Sequence, residues 1–203
     1  FIVSYGGSFS DCTVYPLILL FLTWKNKTTY LKTVLSYFIK LIPQSITSGQ
    51  LNYPDLSLKT TIFQYQNLLS ILKNHTLIKA QTLNDICITD YPENTNKRFL
   101  VSYVCSSLRY NTRYIISLWT NTYTSLYSIS TIYKNSIWLE REVWDFFGIF
   151  FQRHLDLRRI LTDYGFQGYP LRKDFPLVGF LELYYDFKKK KLNYKKSEFF
   201  QEY

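Results

Sequence analysis

The chain has 203 residues, a formal net charge of +9, 47% hydrophobic residues and 19% charged residues. That size fits one domain with an extension, or two small domains, and so much apolar material excludes a wholly disordered chain. The basic balance admits nucleic acid, an anionic membrane surface or an acidic partner.

The first apolar run, Tyr15–Trp24, is about half the ~20 residues that a spanning helix needs. With no basic region before it and no small-residue cleavage site after it, it reads as a buried strand or helix start rather than a signal peptide. The sequence has no Met, so Phe1 is not an ordinary start. Thr28 or Thr29 can cap a helix in which Leu31, Val34, Leu35, Phe38, Ile39 and Ile42 recur at helical spacing before Pro43 ends it. Residues 44–55, with Gly49 and Pro54, read as loop, and Leu56 with Leu58 as a short strand. A second amphipathic helix carries Ile62, Tyr65, Leu68, Leu69 and Leu72 on one stripe.

The period then changes. Residues 83–89, 99–105 and 113–119 are strands by their β-branched and aromatic content, and 129–133 is a weaker candidate. Turn material separates them, the shortest link suiting a hairpin. A helix over 137–147 is predicted, capped by Asn135 or Ser136 and ended at Gly148. Beyond it, Pro170 and Pro176 favour extended backbone, and the segment has charges and aromatics with little core of its own. Such a segment must lie against its own sheet or another protein. Lys188 to Lys191, then Lys195 and Lys196, read as a solvated, partly mobile tail. The predicted fold is α+β: a mostly antiparallel sheet with helices on one face, plus an irregular C-terminal extension. Residues 1–135 form the α+β domain, with 1–49 of uncertain placement, and 136–203 the last helix and the extension.

Chemistry-bearing patterns are sparse. Cys12, Cys87 and Cys105 have neither the spacing of a disulfide framework nor that of a zinc or iron–sulfur site, and read as small core residues. Phosphate-binding glycine loops and the nucleophile elbow are missing from the sequence. Glu140 and Glu142 lie two apart on a helix, about 200° around its axis, and cannot converge on one substrate atom. Arg141 and Asp145, four apart, can pair. His75 and His154 stand alone and read as packed or hydrogen-bonded residues. Arg158 and Arg159, between apolar neighbours, suit either an ordinary charged turn or ion pairs with Asp156, Asp163, Asp174 or another subunit's acids.

One run is far more specific. Glu140-Arg141-Glu142, Asp145-Phe146-Phe147-Gly148, His154 and Leu157-Arg158-Arg159-Ile160-Leu161 resemble the signature of the complex I 30 kDa subunit family. The likeness continues through Thr162-Asp163-Tyr164-Gly165-Phe166, Gly168 and the run from Pro170 to Leu177, which includes Arg172, Lys173 and Asp174. Echoes lie upstream at Leu72–Thr76, Asp90-Tyr91-Pro92, Arg98-Phe99 and Ser107–Asn111. The family usually has Pro at the position of Leu155, His at Tyr169 and Arg at Tyr184, and a Glu-Pro segment in place of the lysine-rich tail. The resemblance implies a structural and assembly subunit of the quinone module in the peripheral arm of NADH:ubiquinone oxidoreductase. The whole complex would pass electrons from NADH to ubiquinone and pump protons.

This chain alone would be non-catalytic and hold no cofactor. FMN and iron–sulfur clusters would reside in partner subunits. Its partners would be other peripheral-arm subunits, chiefly the quinone-site subunit and iron–sulfur subunits, along which the extension would lie. No nucleic acid is implied, and the membrane is met only through the complex. The expected place is the matrix side of the mitochondrial inner membrane, or the cytoplasmic face in a bacterium. The expected interface residues are Glu140, Arg141, Glu142, Asp145, His154, Arg158, Arg159, Asp163, Tyr164, Arg172, Lys173 and Asp174. Two alternatives stand beside this: a basic nucleic-acid-binding module, and an independent enzyme using Glu140, Glu142 or His154.

Overall fold

The computed structural model describes residues 27–52, 54–94 and 96–198. The apolar run at 15–24 and Cys12 lie outside the described residues. Helix α1, Lys27–Leu41, buries Leu31, Val34 and Phe38 of the expected stripe, and Tyr30 besides, while Leu35 and Ile42 are partly buried. Ile39 falls off that stripe and is exposed. Helix α2, Tyr65–Asn74, buries Tyr65, Leu68, Leu69 and Leu72. Both helices are short for independent stability and are held by tertiary packing of these faces.

The sheet has order β1-β2-β5-β4-β3. Its strands are β1 (Ser48–Asn52), β2 (Asp55–Lys59), β3 (Thr82–Asp90), β4 (Phe99–Ser107) and β5 (Thr112–Thr120). Every pairing is antiparallel except β2 with β5. The three longest strands match the predicted ones within two residues at each end. Alternation explains why: Phe99, Val101, Tyr103 and Cys105 of β4, with Tyr114, Ile116 and Leu118 of β5, all point into the core. Tyr65 of α2 stacks on Tyr103, ring centroids 5.7 Å apart. On the opposite face, Ser102 meets Ser117 at 3.2 Å, as expected of an antiparallel sheet covered on one side.

Two local expectations fail. Residues 44–55 contain an edge strand, β1, paired through Asn52 opposite Asp55, with Pro54 in the connection. Residues 129–133 form a turn, with the Ile132 and Tyr133 amides donating to the Ile129 carbonyl. The nearby strand is β6, Leu126–Tyr127, running parallel to β7, Phe151–Gln152.

Helix α3, Ser136–Phe147, ends at Gly148, whose φ of 71° is the left-handed conformation of a helix C-terminus. Asn135 occupies the N-cap position without capping; its side-chain amide donates to the Leu83 carbonyl of β3 at 2.6 Å. Phe147 meets Phe99 edge-on at 6.3 Å, so α3 joins the helices on the core face of the sheet. After a stretch of turns, β8 (Leu181–Asp186) and β9 (Lys191–Lys196) form an antiparallel hairpin. The lysine-rich tail is therefore a regular hairpin where a partly mobile tail was expected, and its lysines are exposed. No helix among the described residues is long and apolar enough to cross a membrane.

Candidate functional site

The arginines and carboxylates of the signature fasten residues 153–174 to α3 and the sheet. Asp145 lies on the inner side of α3 with no exposed surface. Its carboxylate accepts the backbone amides of Ile160 (3.2 Å), Leu161 (2.8 Å) and Thr162 (2.9 Å). It also accepts the Thr162 hydroxyl at 2.6 Å and Arg159 Nη1 at 3.2 Å. Burial alone would push this carboxyl up. The Thr162 hydroxyl and the three amides outweigh it and hold the group below its ordinary range. Arg159 donates its other terminal nitrogen to the Gly168 carbonyl at 2.9 Å and lies over the Tyr169 ring.

Arg172 closes the next loop. Its Nε donates to the Phe147 carbonyl at 2.6 Å, satisfying an orphan acceptor at the end of α3. Its guanidinium stacks 4.3 Å from the Tyr169 centroid and 5.5 Å from that of Phe99. Tyr169, where the family usually has His, thus shares its ring between two arginines. Asp90, at the end of β3, forms a third anchor. It accepts Arg98 through two nitrogens, at 2.8 and 3.0 Å, and the Lys173 amide at 2.9 Å. Arg98 reaches on to Asp174 at 2.9 Å.

The expected Arg141–Asp145 pair does not form, because Asp145 faces the 160–162 loop. Arg141 instead donates to the Asp156 carbonyl and carboxylate, both at 2.7 Å, with its guanidinium over the Trp138 ring. Arg158 also reaches Asp156, at 3.2 Å, with its side chain 71% exposed. Asp163 accepts its neighbour's amide and the Tyr194 hydroxyl. Glu142, Asp163, Tyr164, Lys173 and Asp174 are exposed, and Tyr164 entirely so.

Glu140 and Glu142 diverge as the helix geometry requires. Glu140 is buried; its Oε1 accepts the Ile129 amide at 2.8 Å, and its Oε2 makes no hydrogen bond. His154 Nδ1 accepts the Asp156 amide, so the ring proton sits on Nε2 and is directed to the Ile137 carbonyl at 3.2 Å. That nitrogen is 3.8 Å from Glu140 Oε2. Burial pushes the Glu140 carboxyl above its ordinary value of 4.5, offset in part by the Ile129 amide and the neighbouring Ser128 and Ser136 hydroxyls. A raised carboxyl binds more protons folded than unfolded, so stability falls as pH rises from 4.5 to the folded value. Glu140→Gln keeps an oxygen for Ile129 and removes the charge. In thermal melts of the full chain, its stability relative to the parent should therefore rise over that window and then level off. A difference that does not change with pH would refute this assignment.

His75 is a packed residue as expected, accepting the Leu77 amide and lying against Phe38. Cys105 is buried, but Cys87 is on the surface rather than in the core. Partial burial and Asp85 push its thiol up to about 11, which disfavours the nucleophilic thiolate. Among the described residues, no three His, Cys, Asp or Glu side chains gather as a metal site. Asp90 and Arg98 are site residues that the sequence expectations omitted. Their signal was the pairing of Asp90-Tyr91-Pro92 with Arg98-Phe99 across one short connection.

A sequence model described as "Respiratory-chain NADH dehydrogenase, 30 Kd subunit" matches residues 59–181, the span holding all three anchors. The chain belongs to this family. A relative from Acanthamoeba castellanii, NADH-ubiquinone oxidoreductase subunit 9, is 45% identical over 179 residues, covering 88% of this chain and 89% of that one. One from Candida albicans, NADH dehydrogenase (ubiquinone) iron-sulfur protein 3, mitochondrial, is 38% identical over 166 residues, 82% of this chain and 59% of its own. Among solved structures, the trypsin-resistant fragment (1-134) of Nqo5 superposes with a TM-score of 0.51 at 24% identity, over 63% of this chain and 98% of the fragment. That likeness speaks for the fold, the mixed α+β sheet described above. Membership of the 30 kDa family makes the chain a peripheral-arm subunit of complex I, with activity belonging to the assembled NADH:ubiquinone oxidoreductase.

Proposed function

We propose that this 30 kDa family chain is a non-catalytic scaffold of the quinone module, and that residues 136–203 are its docking part. It contributes no cofactor. Electrons pass through FMN and iron–sulfur clusters held by neighbours, chiefly the quinone-site and iron–sulfur subunits, against which the extension lies. Its place is the matrix face of the mitochondrial inner membrane, with the membrane met only through the complex. The Candida relative, whose name includes "mitochondrial", supports the mitochondrion as its compartment.

One observation carries the reading. Residues 149–180 are held in a defined course by buried carboxylates and arginines, yet leave Leu155 (83%), Tyr164 (100%) and Leu177 (91%) in water. Order without a covering core is what a second surface completes: exposed apolar patches mark interaction sites, and Tyr with Arg is the composition of interface hot spots. Glu140, Arg141, Asp145, His154, Arg159 and Arg172 then act from within, by shaping the surface. Glu142, Arg158, Asp163, Tyr164, Lys173 and Asp174 are the members placed to touch a partner. Four arginines, Arg98, Arg141, Arg159 and Arg172, are committed to groups of this chain and add nothing to the nucleic-acid reading.

Single substitutions separate the two roles. Arg158→Ala removes an exposed cation whose pairing with Asp156 is worth roughly 0–1 kcal/mol to folding. It should leave the chain's melting temperature unchanged and lower its recovery in the NADH-oxidising particle on native gels. Arg159→Ala should lower both. Normal incorporation of the Arg158 variant would remove that residue from the interface.

A further inference from the structure

The β8–β9 hairpin takes no part in the anchoring network. Register places Leu183 opposite Tyr194 and Tyr185 opposite Leu192, with Leu181 opposite Lys196, so one face of the hairpin is almost wholly apolar. Those five apolar side chains are 47 to 63% exposed. At the turn, Asp186 accepts the amides of Lys188 and Lys189, Lys190 adopts a φ of 51°, and Phe187 is 84% exposed. Among the described residues only Lys195 of the six lysines from 188 to 196 pairs with a carboxylate, Glu182 at 3.3 Å. The hairpin is tied to the preceding segment through Tyr194 to Asp163 and through Ser197 to Gly179 and Phe180. A two-stranded hairpin is marginal in water on its own, and this one keeps its apolar face outward.

We propose that this hairpin docks on an acidic protein surface: a shallow apolar cleft on a neighbouring subunit, rimmed by Asp and Glu. The cleft takes the face formed by Leu183, Tyr185, Leu192 and Tyr194, while Lys188–Lys191 reach the rim carboxylates. A protein occupant fits better than an anionic bilayer because the apolar groups are laid out along both strands instead of gathered at the tip. The tie to Asp163, next to the fully exposed Tyr164, makes the hairpin continuous with the docking part of the extension. The proposal rests on the chain being a subunit of the complex and adds the chemistry of the partner.

The test is carbodiimide treatment of the intact detergent-solubilised complex. The reagent adds to a carboxylate to give an O-acylisourea, the lysine amine displaces the urea, which carries off the elements of water, and the amide that forms links only groups already in contact. Peptides joining Lys188–Lys191 to Asp or Glu of another subunit are expected. Acylation of these lysines by a succinimidyl ester should be lost in the complex and restored after dissociation. Lysines that acylate equally in both states, or that are shielded only when the full chain meets phosphatidylserine vesicles, overturn the proposal. If the chain does not co-migrate with the NADH-oxidising particle at all, the subunit reading fails. If it co-migrates with these lysines free, only the hairpin proposal fails.

Discussion

Replacing Asp145 by Ala should release the 153–168 segment from the body of the protein. The substitution strips one buried acceptor from three backbone amides, a hydroxyl and a guanidinium at once. Leaving such partners uncompensated costs about 3–5 kcal/mol when a buried charge pair loses one member. The direct observable is amide hydrogen exchange of Ile160, Leu161 and Thr162, which should lose protection in the full-length variant while β4 and β5 keep theirs. Unchanged protection at the three amides would refute the anchoring role. Asp145→Asn should cost less, since one oxygen remains for the amides. It should also change the pH profile. The carboxyl is held below its ordinary range, so its contribution is present above the unfolded value and lost as pH falls through the folded one. The Asn variant should lack that part of the acid transition.

Gly148→Ala is the second large effect. The residue sits at φ 71°, and a Cβ there would lie 2.5 Å from Tyr169 Cζ and 2.7 Å from Arg172 Nη2. The left-handed backbone alone costs an L-residue about 1–2 kcal/mol. Forcing the ring and guanidinium apart adds about 1–3 kcal/mol, as in other overpacked sites, because Arg172 is pinned to the Phe147 carbonyl. Gly165 is the matched control: its φ is 72°, but a Cβ there meets nothing within 4 Å. At roughly 2–4 °C per kcal/mol for a chain of this size, Gly148→Ala should melt several degrees below Gly165→Ala. Equal melting temperatures would mean that the stack of Tyr169 and Arg172 yields freely.

The helices and the long strands were legible from local signals. Leu68, Leu69 and Leu72 could only share a helix face, and residues 99–105 carry the β-branched and aromatic content of a strand, whose burial alternates in the fold. Strand β1 was hidden because Ser-Gly-Gln-Leu-Asn has almost no strand propensity; it pairs because β2 offers an edge. The hairpin was hidden for the opposite reason. Leu181, Leu183 and Tyr185 do alternate, but lysines blur the pattern in β9, and sequence cannot say that an alternating face stays uncovered. The signature run identified the family, yet not what its residues touch. Arg141 looks suited to Asp145 at helical spacing, and only the course of the chain after Gly148 brings Asp156 closer. The roles of Asp90 and Arg98 depend on a contact 83 residues distant in sequence, between Asp90 and the Lys173 amide, which local patterning does not encode.

That separation has a consequence in time. A chain made from its N-terminus at about 5–20 residues per second completes β5 well before residue 173 leaves the ribosome, a delay on the order of seconds. Through that interval the sheet can form, and Asp90 can already hold Arg98, eight residues away. The nascent protein therefore displays a finished clasp before the strap that closes on it exists. The end of β3 is then a surface that the mature chain, with the Lys173 amide on Asp90, no longer shows.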